Sequence, residues 1–469
     1  MVEGTTGVDG TTLAGWLARP VHERAGLRER SWSLARAIGC RHHVWTALAE
    51  PADGVPTDGV PTDGPLAGVA ISVKDNIDVR GLATTAGSTL LPADPVAADA
   101  ATVAALRAAG AVVVGKTNMH ELALGVTSDN DTHGPVLLPA DPLRSAGGSS
   151  GGSAASVALG VVPVALGTDT GGSVSIPASC CGVVGFRPTT GRWPGDGVVQ
   201  LSTSRDTVGV HARTVVDAWR VDAVITHARS AQDPRADPLL VAGLRLGVPR
   251  SRHADLDPEV AAVTSAALGA LEAAGALLVE VDVGDDIAVG AGAGMTLVLF
   301  ELVRLLRARL TLQGSDLARA PLADLAARVA SPDVRAVVEA AAVSPVPPSA
   351  YDAARRSRWC LQRDLAMTFD AGRLDALVWP TIPVLPPPVG AATVHLAGRE
   401  EAVFPVLTRN TGPGSVAGLP VVTVPAGRSG AGLPVGLCIE GRPHGDDHLL
   451  RVSAAVEAAL LAEPTPGRP

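Results

Sequence analysis

The sequence predicts an α/β protein: a single large domain in which a mixed, mostly parallel twisted sheet is covered by helices on both faces. Three observations lead there. Helical patterns alternate with short, apolar, strand-like runs, the arrangement that lays helices over both faces of a sheet. Hydrophobic residues make up 46% of the 469 residues but aromatics only 3%, so a sizeable core must be assembled from Ala, Val and Leu. A stretch crowded with Gly, Ser and Thr, residues 147–192, encloses the apolar run 157–166, which a merely flexible loop would not carry.

Taken in order, residues 1–65 read as an N-terminal segment with one amphipathic helix, 23–48, interrupted near Gly39. The direct repeat DGVPT at 53–57 and 58–62 then makes a surface turn. The main domain, 66–463, opens with a buried strand, 68–73, that delivers Lys74. A helix over 97–109 is closed by Gly110 and followed by a strand over 111–114. Two Gly-Gly-Ser turns, at 147–149 and 171–173, flank a short helix and a strand, and a further helix covers 214–225. The part from about 250 to 370 is helix-rich. Asp257 caps a helix with Pro258 at its first position, which ends near Gly275. A strand over 277–281 and helices over 295–312, 321–329 and 349–369 follow. Strands at 376–381, 418–424 and 434–439 and a closing helix at 446–462 complete the domain, leaving 464–469 as a disordered tail.

Composition narrows the function. The net charge of −9 is spread without basic runs, which argues against nucleic-acid binding. The first ten residues lack a basic-plus-apolar signal pattern, and the run 157–166 is broken by Gly160 and Pro163 and too short to span a bilayer. A soluble cytoplasmic protein with no membrane partner is expected. The five Cys, at 40, 180, 181, 360 and 438, lack metal-type spacing, and no His, Cys and carboxylate cluster has ligand spacing, so neither metal nor cofactor is expected. The oligomeric state is open, with a homodimer among the options.

The chemistry concentrates in the glycine-rich stretch. Glycine permits positive φ and close approach, and successive N–H groups in such turns converge on an anion. A serine among them suits a nucleophile with a ready oxyanion hole. Of 38 basic residues all but Lys74 and Lys116 are Arg. Where Arg serves whenever a positive charge suffices, a surviving Lys marks a position that needs an amine able to lose its proton; the bland alternative is chance or a packing role. Two decoys are set aside. Residues 110–117 (GAVVVGKT) fit Walker A spacing, but their variable positions are themselves the β-branched strand rather than a loop that follows one. Residues 147–151 (GGSSG) fit the nucleophile elbow of α/β-hydrolases, yet the preceding PLRSA is not a buried strand.

The runs GGSSGGS (147–153), GTDTGGS (167–173) and ISVKDNID (71–78) resemble, in order and spacing, the motifs of the amidase signature family. The resemblance extends over most of the chain and fades over 250–370. It implies the amidase-signature fold and a Ser–Ser–Lys triad. Ser173 would be the nucleophile, Ser149 the bridging serine after a cis peptide bond, and Lys74 the base. The backbone N–H groups of Thr170, Gly171, Gly172 and Ser173 would form the oxyanion hole, with Ser150, Asp169 and Ser175 supporting. Lys116 then becomes structural or site-supporting. Most members carry Arg where this chain has Ser175, so Asp169 must find another partner, with Arg187, Arg192 or backbone donors available. The runs 118–130 and 186–209 look most like indoleacetamide and mandelamide hydrolases, implying a small-molecule arylalkyl primary amide as substrate. Gln200, Val210 and the runs 131–133 and 136–138 depart from those relatives and are expected to border the acyl pocket, which allows a different, larger amide. The alternatives are an amidotransferase A-type subunit acting on a tRNA-linked glutamate, or a non-catalytic relative that binds an amide or a partner protein.

Overall fold

A computed structural model describes residues 12–49, 61, 63–227 and 238–462. Its frame is an eleven-stranded sheet with two small hairpins beside it. The strands in chain order are β1 (Trp45–Leu48), β2 (Ala70–Lys74), β3 (Val112–Thr117), β4 (Leu137–Leu138), β5 (Asp141–Ser145), β6 (Val164–Asp169), β7 (Val184–Arg187) and β8 (Thr207–Ala212). They continue with β9 (Arg245–Pro249), β10 (Leu277–Val281), β11 (Ala376–Pro380), β12 (Thr393–Leu396), β13 (Arg399–Ala402), β14 (Val421–Arg428) and β15 (Pro434–Glu440). Across the sheet the order is β1-β3-β2-β6-β8-β7-β14-β15-β11-β9-β10, while β4-β5 and β12-β13 are the hairpins.

The sheet is mixed, as the sequence indicates, and its parallel pairing lies in two wings. β3-β2-β6 form one and β11-β9-β10 the other. The centre, β6-β8-β7-β14-β15-β11, is antiparallel. Every residue of β2, β3, β6, β7, β8 and β11 is buried. Successive side chains point to opposite faces, so such strands require cover on both. That cover comes from helices such as Gly151–Ala158, Ser175–Cys181, Val215–Ile225 and Asp446–Leu461. Asp257 caps the helix Pro258–Ala273 as expected, its Oδ1 accepting the N–H groups of Glu259 and Val260.

Three elements differ most from the sequence reading. The expected helix 23–48 ends at His42, where His43 takes a left-handed conformation (φ 49°), and Trp45–Leu48 becomes the edge strand β1. The helix expected at 295–312 begins at Asp286 and runs 27 residues. It is long and apolar enough to cross a membrane by length and composition, unlike the short run considered above. Its apolarity is used inside the protein: Leu297, Leu302, Leu306 and Leu310 are buried, and buried Glu301 at its middle accepts hydrogen bonds from Ser202, Ser204 and Tyr351. The region 321–343 forms two helices, Leu322–Ala326 and Pro332–Val343, with Pro332 restarting the chain at a helical N-terminus. The DGVPT repeat, apart from Pro61, and the tail 464–469 lie outside the described residues.

Candidate active site

Parallel pairing of β2 with β6 puts their carboxyl ends side by side, the place where α/β sheets bind ligands. Lys74 is the last residue of β2, and Thr168 and Asp169 end β6. Between these strands in the chain, Ser149 follows a cis Gly148–Ser149 peptide and leads into the helix Gly151–Ala158. The Lys74 Nζ donates to Ser149 Oγ at 2.8 Å and to Thr168 Oγ1 at 2.9 Å. Asn76 Nδ2 also donates to Thr168 Oγ1, at 3.0 Å. Lys74 and Ser149 are both fully buried. Desolvation pulls the Lys74 amine from 10.5 down to about 7, against the opposing attraction of Asp169 and Asp206. Both its acceptors are neutral hydroxyls, so an uncharged amine fits the position.

After β6 the chain turns through Thr170–Ser173 into the helix Ser175–Cys181. Gly172 has φ 120°, and a Cβ there would lie 2.2 Å from Thr411 Oγ1, so only glycine fits. Asp169 is the buried anchor of this turn. Its carboxylate accepts the N–H groups of Gly172 (2.9 Å) and Val174 (2.8 Å) and the Arg187 Nε (3.1 Å). Arg187 therefore supplies the guanidinium that position 175 lacks, whereas Arg192 pairs with Asp222 and Asp447. One of the four expected oxyanion donors is thereby withdrawn, because the Gly172 amide is spent on Asp169. The amides of Thr170, Gly171 and Ser173 donate to no group among the described residues. The carbonyls of the same turn are held away from the cavity: Thr411 Oγ1 donates to Gly171 O at 2.8 Å, and Ser415 Oγ donates to Thr170 O. Ser150 braces the turn from beneath, its N–H donating to Ser173 O and its Oγ to Thr168 O. Ser175 is buried at the start of its helix.

Ser173 stands at the wall of a cavity of about 710 Å³, and its hydroxyl has no hydrogen-bond partner among the described residues. A serine at an open wall, a buried lysine that can lose its proton and a set of unspent amides are the parts that acyl transfer requires. The Amidase family profile matches residues 28–450. The chain belongs to the amidase family. Mandelamide hydrolase from Pseudomonas putida is 38% identical over 86% of this chain and 80% of its own length. Indoleacetamide hydrolase from Pseudomonas savastanoi is 38% identical over 84% of each chain. Among solved structures, 6-aminohexanoate cyclic dimer hydrolase superposes with a TM-score of 0.84 at 28% identity over 98% of both chains. This chain is thus an amide-hydrolysing enzyme of that family.

The second lysine of this amidase has a different setting. Lys116 Nζ lies 3.2 Å from Asp75 Oδ1 and donates to Ala83 O and Thr84 Oγ1, all away from the cavity. It sits in the buried strand β3, so the Walker-like run is a strand and not a loop. Residues 141–145 form β5, a partly exposed hairpin strand and not the buried strand that an elbow needs. His211 is buried behind the turn with Nε2 3.0 Å from Val174 O. Burial pushes its pKa down to about 3, so the ring is neutral, and it hydrogen-bonds no serine among the described residues.

The walls of this cavity are not the residues that the sequence pointed to. Gln200, Val210 and the runs 131–133 and 136–138 do not line the cavity. Val210 points into the core from β8, and Val136 and Leu138 are likewise core residues. The walls come instead from residues 123–126, from the long helix Asp286–Leu312 and from residues 396–413. Leu124, Val126, Ile287, Val298 and Phe404 give it an apolar character. Sequence reasoning also missed Arg205, Thr168, Thr411 and Ser415. The last two lie more than 200 residues from the turn that they hold, and no local pattern could have linked them to it.

Proposed function

We propose that this enzyme hydrolyses an arylalkyl primary amide to a carboxylic acid and ammonia through an acyl-enzyme on Ser173. The observation that carries the reading is the buried Lys74 amine, pulled down to about 7 and hydrogen-bonded to Ser149 beside the Ser173 turn. At neutral pH an uncharged Lys74 can accept a proton through Ser149 as the Ser173 oxygen attacks the amide carbon. The developing oxyanion would be met by the amides of Thr170, Gly171 and Ser173. Collapse then sends the proton from Lys74 through Ser149 to the departing nitrogen, so the C–N bond breaks as ammonia forms. Water attacks the ester by the same relay, restoring Ser173. The Ser173 hydroxyl closes onto Ser149 when substrate aligns it, a tightening common in catalytic sites. Support for the substrate class comes from the mandelamide and indoleacetamide hydrolases among the relatives and from the apolar walls.

The test is ammonia release from indole-3-acetamide, mandelamide, phenylacetamide, a short aliphatic amide and glutamine, run beside Ser173→Ala and Lys74→Ala. Turnover of an arylacetamide, lost in both variants, is the expected result. Turnover that survives both substitutions rejects the assignment, and preference for glutamine favours the amidotransferase-type reading.

A further inference from the structure

Arg205 is the guanidinium of this site with an unfinished set of partners. It is 6% exposed and lines the cavity together with Thr170, Gly171 and Ser173. Its Nη1 donates to Gly294 O at 2.7 Å, and a Cβ at position 294 would crowd that nitrogen at 2.8 Å, so the glycine makes room for it. Its Nη2 makes no hydrogen bond among the described residues and would lie 3.5 Å from a Cβ built on Gly171. No carboxylate comes within ion-pair distance of it among the described residues. Burial draws the Arg205 pKa down to about 10, which leaves it charged at neutral pH.

A buried charged donor with an open hydrogen-bonding position is costly unless something fills it. Every other charged group near it is already engaged. Asp169 is held by Arg187, and Arg358 donates to Val416 O. Asp206 spends its oxygens on Thr170 Oγ1 and on the amides of Leu201 and Ser202. Counted by charge, Asp206 offsets Arg205 as Asp169 offsets Arg187, so the site does not call for another anion. What is lacking is an acceptor atom. We infer that the preferred substrate carries a neutral oxygen, a hydroxyl, ether or carbonyl, on the carbon next to its amide carbonyl, and that Arg205 Nη2 binds this oxygen. The placement beside Gly171 fixes the position, because the scissile carbonyl must lie against the amides of the same turn. The apolar walls then receive the rest of the acyl group.

This inference rests on the amide-hydrolase reading, and the experiment separates the two. kcat/KM is measured for mandelamide and phenylacetamide, which differ by one α-hydroxyl, and for the monoamide of phenylmalonic acid, which carries a carboxylate there. The wild-type enzyme is expected to favour mandelamide over phenylacetamide by about ten- to a hundred-fold, the worth of a hydrogen bond to a charged group. Arg205→Met is expected to bring that ratio close to unity and Arg205→Lys to restore part of it. The ratio cancels any general loss from damaged folding. Calorimetric Kd values of the same pair for Ser173→Ala, with and without Arg205→Met, are expected to follow the same pattern in the absence of turnover. A ratio that Arg205→Met leaves unchanged overturns the inference, since a purely structural or oxyanion-stabilising arginine affects both amides alike. So does a preference for the carboxylate over the hydroxyl. Hydrolysis of neither amide counts against the amidase reading, while the Kd ratio still decides the role of Arg205.

Discussion

Replacing Lys74 by Met keeps the length of the side chain and removes its ionisation. In the folded protein the amine sits at about 7 instead of 10.5, a displacement caused by burial. At about 1.4 kcal/mol per pH unit, holding a proton there below pH 7 costs the fold about 5 kcal/mol. Between pH 7 and 10.5 the unfolded chain keeps a proton on Lys74 that the folded chain has released. Wild-type stability therefore rises with pH over that window, relative to a variant with nothing to titrate. The methionine variant loses the hydrogen bonds to Ser149 and Thr168, about 1 kcal/mol each, at every pH. Other titrating groups, such as Glu440 and Glu457, are common to both proteins and cancel. Denaturant unfolding of the two proteins, run side by side at pH 6 and pH 9.5, should show their stability difference shifting by about 3 kcal/mol in favour of the wild type at the higher pH. The variant should be the more stable of the two at pH 6 and inactive throughout. A difference that does not move with pH would mean that Lys74 stays protonated in the fold, and the account of it as a base would fail.

Three further outcomes follow from the same geometry. For the wild-type enzyme, kcat/KM should rise about tenfold per pH unit below pH 7 and level off above it, as Lys74 loses its proton; a profile flat from pH 5 to 8 would contradict the assignment. Arg187→Met leaves the buried Asp169 carboxylate without its cation, so chemical denaturation should reveal a loss of about 3–5 kcal/mol, whereas a loss below 1 kcal/mol would show that the backbone donors suffice. Thr411→Val removes the hydroxyl that holds Gly171 O outward; kcat should fall at least about tenfold with KM little changed, and an equal change in both would point to a binding role instead.

How far the sequence disclosed this protein depends on whether the controlling interaction is local. The caps and turns are local, and Asp257 with Pro258, the two Gly-Gly-Ser turns and the closing helix were all legible. β1 was not, because Trp45–Leu48 continues a helical pattern and becomes a strand only through pairing with β3. The sequence marks the long helix only from Met295 onward, since Gly290, Gly292 and Gly294 weaken the helical signal of the first two turns. Lys74, Ser149 and Ser173 stood out through residue type and motif. The cavity walls are not legible in the sequence, because they come from the helix-rich part and from residues 396–413, which reach Ser173 only through tertiary packing. Asp169 illustrates both sides. Its need for a new partner could be read from Ser175, but only the fold selects Arg187 over Arg192 and shows that the anchor occupies the Gly172 amide.

The central claim is that Ser173 carries the acyl group, and it can be observed directly. The enzyme is quenched in acid while turning over an arylacetamide, digested, and its peptides are weighed. The expected result is a mass increase equal to the amide less ammonia on the peptide holding Ser173, absent from Ser173→Ala and from enzyme quenched before substrate is added. An adduct on Ser149, or rapid turnover with no adduct under any quench, would contradict it.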